Sequence, residues 1–150
     1  MLGVLSALPA NHNHRAYQVV SAMMKFVSLS NTMLKNKQGI EPWMQTRWED
    51  YVMTLEWLYE YHIPANDTAN QQLLLETMEL VQQNGDDWIG VFQEQYFPKV
   101  ATELAGNAPF GVLTWHGVNM AEGLKAGAAA YRYTGNATRQ SRDFTSFCMH

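Results

Sequence analysis

Cysteine is almost absent from this chain: Cys148 stands alone among 150 residues, which excludes an intramolecular disulfide framework and a cysteine-rich zinc module. Basic residues are few as well. Ten Lys and Arg against fourteen Asp and Glu leave a net charge of -4, and no Lys/Arg cluster supplies the footprint that nucleic-acid binding needs. No apolar run approaches the ~18 residues of a membrane span, so neither nucleic acid nor membrane is expected as a partner. The start, Met1 to Leu8, is apolar but lacks a basic n-region and is short for a signal peptide. Localisation therefore stays open. What the chain does have is 47% apolar residues, enough for one buried core in a length too short for two domains of ~100–200 residues.

Helical periodicity dominates, and no convincing strand alternation interrupts it. A first stripe runs through Val19 or Val20, Met23, Phe26 or Val27 and Leu34, after Pro9, with Asn11 or Asn13 as a cap and a stop near Gly39. This helix is apolar around much of its circumference, so it expects partners on more than one side. The cleanest stripe is Trp48, Tyr51, Val52, Leu55, Leu58, Tyr59 and His62, closed by Pro64. Asp67 or Thr68 caps a third helix through Leu74, Met78 and Val81 that ends at Asn84-Gly85; Asp86 or Asp87 then opens a short segment, Trp88 to Tyr96. Residues 105–111 read as loop from their Gly, Pro and Asn content. A last helix, Thr114 to Tyr133, is expected with Val118, Ala121, Leu124, Ala128 and Tyr131 on one stripe. Its Gly117, Gly123 and Gly127 each cost ~1 kcal/mol relative to Ala, and the return is a thin helix that neighbours can approach closely.

Chemistry-bearing residues are sparse. His116 opens the last helix, where the dipole disfavours the imidazolium and favours a neutral hydrogen-bonding ring. Asn119 lies one turn on and shares its face. His12 and His14 sit in an Asn-rich lead-in with no carboxylate or Cys nearby to complete a metal site. The pairs Glu49/Asp50, Glu56/Glu60 and Asp86/Asp87 are explained by caps, dipole compensation or solvated faces, so no catalytic carboxylate pair is legible. Five tryptophans suit either stacking on sugar rings or core packing. Two N-x-[ST] sequons, at Asn66 and Asn136, fall in turns where a glycan would be tolerated and give weak support for a secretory route.

Several runs occur together and in order: Ser21-Ala22-Met23-Met24-Lys25-Phe26; Arg47-Trp48-Glu49-Asp50-Tyr51 with Leu55-Glu56-Trp57-Leu58-Tyr59; Asp87-Trp88 with Phe97-Pro98-Lys99; and Thr114-Trp115-His116-Gly117-Val118-Asn119-Met120-Ala121-Glu122-Gly123-Leu124-Lys125. Together they resemble the β-L-arabinofuranosidase-type proteins of glycoside hydrolase family 127, over roughly Val19 to Gly135, the His-Gly-Val-Asn run being the most specific piece. The resemblance implies the N-terminal part of an (α/α)6 barrel with inner and outer helices alternating along the chain. It further implies an L-arabinofuranosyl glycan as substrate and His116, then Asn119, as cleft-lining residues. For the full-length family it implies zinc, a zinc-held Cys nucleophile and a Glu acid/base. Those groups lie beyond the last matching residue, and the tail from Ser141 departs from the pattern. No catalytic residue or metal ligand is therefore assigned here, and the nucleophile role is not transferred to Cys148.

The expectation is an all-α chain: residues 1–140 form a partial (α/α)6 barrel of about four to five helices, and 141–150 a divergent tail. It needs no cofactor of its own and is inactive by itself. The competing expectation is a self-contained helical bundle that acts as a binding or interaction module.

Overall fold

The computed structural model describes residues 10–93 and 116–135, with side chains from residue 15 onward. Within these residues the chain is all helix, without a strand: α1 (Ala10–Lys35), α2 (Pro42–Thr46), α3 (Trp48–Tyr61), α4 (Thr68–Gln83), α5 (Trp88–Val91), α6 (Gly117–Gly123) and α7 (Ala126–Thr134). None of them is long and apolar enough to cross a membrane.

The α1 helix takes in Asn11 to His14, which the sequence suggested as an extended lead-in. After Pro9 nothing in that stretch breaks a helix, and the asparagines are carried inside it rather than capping it. Its other end is a Schellman turn: the Lys37 N–H donates to the Leu34 carbonyl (3.0 Å) and the Gln38 N–H to the Met33 carbonyl (2.8 Å). Lys37 holds the left-handed position of that turn at φ 56°. A side-chain-bearing residue costs ~1–2 kcal/mol in this conformation.

The two central helices follow their patterns. Val52, Leu55 and Leu58 of α3 pack against Leu74, Met78 and Val81 of α4, and all six are fully buried. Each such side chain contributes ~1.5–3 kcal/mol relative to exposure. Asp67 caps α4 by accepting the Asn70 N–H, and Asp87 caps α5 by accepting the Gly90 N–H. His62, placed by the pattern on the apolar stripe, is instead exposed at the end of α3, its ring against the Trp57 indole at 4.0 Å between centroids.

The last element departs most from expectation. One helix was expected; two are formed, broken at Leu124-Lys125, where the Lys125 N–H bonds back only three residues to the Glu122 carbonyl. The buried face is also the opposite one. Asn119, Gly123, Ala126, Gly127 and Ala130 point inward, whereas Val118, Ala121, Leu124 and Ala128 are exposed. The reason is the approach distance. Gly123 lies against Trp88, and a Cβ there would collide with the benzo side of the indole. Small residues win the interior because the tryptophan already fills it. At the far end of α4, Gly85 takes the same role against Trp48, whose indole N–H donates to the Asp86 carbonyl (3.1 Å).

Polar contacts fix the helix directions. Asn31 of α1 donates to Thr77 (3.0 Å), and Lys37, just beyond α1, donates to Asn84 at the end of α4 (3.1 Å), so α1 and α4 run the same way. Lys125 bonds Asp50 at the start of α3, while Arg132 bonds Glu60 (2.6 Å) near its end, so α3 and α7 also run the same way. The α3 helix is antiparallel to α4, its start lying at the end of α4. The result is two layers of like-directed, touching neighbours, α1 with α4 and α3 with α7.

Candidate functional site

The His-Gly-Val-Asn run meets the Arg-Trp-Glu-Asp run across the start of α3. Arg47 precedes α3 with its guanidinium over the Trp43 indole, 4.9 Å from the ring centroid. Its Nε donates to the Asn119 side-chain carbonyl at 2.9 Å. Asn119 is wholly buried, so this charge-assisted bond fixes α6 onto the beginning of α3. One turn further, Lys125 bridges Asp50 and Glu122. Burial pulls the ammonium down, but the hydrogen bonds it donates to these two carboxylates outweigh it and its pKa is raised.

Beside this cluster lies a group that the sequence reading placed on caps and solvated faces. Glu49 is fully buried, and neither carboxylate oxygen accepts a hydrogen bond from another residue. Desolvation pushes its pKa up to about 7, opposed by its own backbone amide and by the Lys125 charge. Two turns along the same helix Glu56 repeats the arrangement. It is 2% exposed, and burial raises it to about 7 against the pull of Arg132, whose guanidinium stands 3.3 Å away. A carboxyl that is half protonated near neutrality can donate or accept a proton, which is the property general acid/base chemistry requires. The signal was available: Glu49, Val52 and Glu56 continue the apolar stripe at i, i+3, i+7.

His116 sits at the start of α6, exposed; its carbonyl accepts the Met120 N–H (2.9 Å) and its ring caps nothing. His116 and Asn119 are thus one turn apart with different surroundings, one facing solvent and one locked to Arg47. Asn66 is exposed in the turn between α3 and α4. Asn136 and Cys148 lie outside the described residues. Among the described residues no three His, Cys, Asp or Glu side chains come together in a way that would hold a metal.

A separate open groove of about 880 Å³ runs between α4, α5 and α7, walled by Gln72, Glu79, Gln82, Asp87, Trp88 and Tyr133. Neither His116 nor Asn119 lines it. No family model, curated protein or solved structure matches this chain.

Proposed function

We propose that the chain is part of a carbohydrate-active (α/α)6 barrel of the β-L-arabinofuranosidase type, whose complete form hydrolyses terminal L-arabinofuranosyl linkages. The observation that carries this reading is the layering. In an up-and-down four-helix bundle the packed neighbours are antiparallel. Here α1 lies directly on the like-directed α4, and α3 on the like-directed α7. An alternation of inner and outer helices makes the same pairs. The union of the two motif runs through Arg47 and Asn119, and the close-packed small residues of α6 and α7, agree with it.

In this reading His116 touches the sugar, and Asn119 holds Arg47 and the wall around it. The hydrolytic groups of the intact enzyme, a zinc-held thiolate and a Glu, follow from the family resemblance alone. The described residues offer no set of ligands for zinc. The isolated 150-residue chain binds sugar weakly and turns nothing over.

The test is a titration of methyl β-L-arabinofuranoside followed by saturation-transfer NMR. Binding is expected, reduced at least tenfold by His116→Ala, with no hydrolysis of an aryl arabinofuranoside. An undiminished affinity in the variant removes His116 from the site, and turnover by the purified chain overturns the assignment of its chemistry elsewhere. A closed core of Val52, Leu55, Leu58, Leu74, Met78 and Val81 favours the second reading, a self-contained binding module. A cooperative monomeric unfolding transition without binding of apolar dye would decide for it.

A further inference from the structure

The α1 helix carries two apolar seams, and only one is covered along its length. Its inner seam, Val20, Met23, Val27 and Leu34, packs on the core. On an adjoining face Val19, Ala22, Phe26, Leu29 and Met33 recur at spacings of three and four; Phe26 meets the edge of Tyr51 of α3 (5.8 Å between ring centroids) and Met33 is half-buried, but the rest of the face is open. Val19, Phe26 and Leu29 are more than half exposed (56%, 59% and 56%). A strict three-and-four alternation is the pattern of a seam against another helix, narrower than the broad apolar sector that lies on a lipid surface.

The charge on this helix selects the occupant. Three of the ten Lys and Arg stand in α1, namely Arg15, Lys25 and Lys35, and none of the fourteen Asp and Glu do. Lys35 is engaged with Glu76 of α4 (2.8 Å). Lys25, which flanks the outer seam beside Phe26, and Arg15, which begins it, make no ion pair among the described residues. A second copy of α1 laid on this seam would bring cations to cations with no carboxylate between them. An anionic membrane surface is recognised by clusters of about four to eight basic residues, more than this face has. We propose that the outer seam of α1 docks an acidic amphipathic helix, with apolar side chains between Val19 and Met33 and carboxylates placed to meet Lys25 and Arg15. This inference stands independently of the glycosidase reading.

Two synthetic helical peptides with the same three-and-four leucine seam, one flanked by Glu and one by Lys, provide the probes. Fluorescence anisotropy against the full chain is expected to give a Kd at least tenfold lower for the Glu peptide. Lys25→Glu is expected to erase or invert that ratio. The double substitution Val19→Asn, Leu29→Asn is expected to raise the Kd for the Glu peptide at least tenfold with an unchanged thermal midpoint, since both positions are exposed. Equal affinity for the two peptides overturns the proposal, as does binding that survives the double substitution. Dimerisation through this face by sedimentation equilibrium, or co-sedimentation with phosphatidylserine vesicles in place of peptide binding, overturns it as well.

Discussion

Replacing Glu49 by Gln tests the electrostatics of the interior directly. Its carboxyl is raised from 4.5 to about 7 by burial, a displacement of ~2.5 pH units, or ~3 kcal/mol at 1.36 kcal/mol per unit. Because the folded pKa lies above the unfolded one, the native state holds the extra proton between those values. The stabilisation is complete below pH 4.5 and disappears as pH rises through 7. Urea unfolding of wild type and Glu49→Gln at pH 4.5, 6, 7 and 8 isolates the effect, since carboxylates away from Lys125, Asp50 and Glu122 titrate equally in both proteins. The buried amide has its own unmet hydrogen bonds, costing ~1–3 kcal/mol at every pH. The informative quantity is therefore the change in the stability difference with pH. Between pH 4.5 and 8 the variant is expected to gain ~3 kcal/mol relative to wild type, with the steepest change between pH 5 and 7 and equal denaturant slopes. Parallel pH profiles for the two proteins would refute the buried, unpaired state of Glu49.

Gly123→Ala, which in an exposed helix would stabilise by ~1 kcal/mol, is expected to destabilise by ~1–3 kcal/mol because the new methyl meets a Trp88 ring already stacked on Phe92; thermal unfolding followed by circular dichroism reads the sign. Lys37→Gly is expected to stabilise by up to ~1 kcal/mol through relief of the left-handed strain, less whatever the exposed Lys37–Asn84 bond contributes; a lowered urea midpoint would show that this bond outweighs the backbone term.

The sequence made α3 and α4 readable because their large apolar residues recur at helical spacing and because Asp67, Asp87 and Pro64 act locally, through caps and a missing N–H. The face of α6 and α7 was not readable on the same basis. Size-weighted periodicity sends Leu124 and Val118 inward, yet the decisive partner, Trp88, is distant in sequence and leaves room only for glycine. The candidate site was legible in part. His116 and Asn119 were singled out, but the partner of Asn119, Arg47, lies 72 residues earlier, and no local pattern connects them. Glu49 was missed because a carboxylate in the first turn of a helix has an ordinary explanation in the dipole, and Glu56 because its i, i+4 pairing with Glu60 reads as a solvated face. Their i, i+7 alignment with Val52 was the contrary sign.

Two tryptophans act as moulds in this fold, Trp48 for Gly85 and Trp88 for Gly123. Each indole occupies the volume that any larger residue at its glycine would need, so the two members of a pair cannot drift separately. A smaller ring at 88 would open a void that a side chain at 123 can fill, and only a double change crosses from one solution to the other without passing through a defective intermediate. Diversification of this chain should therefore leave these positions either both unchanged or both replaced.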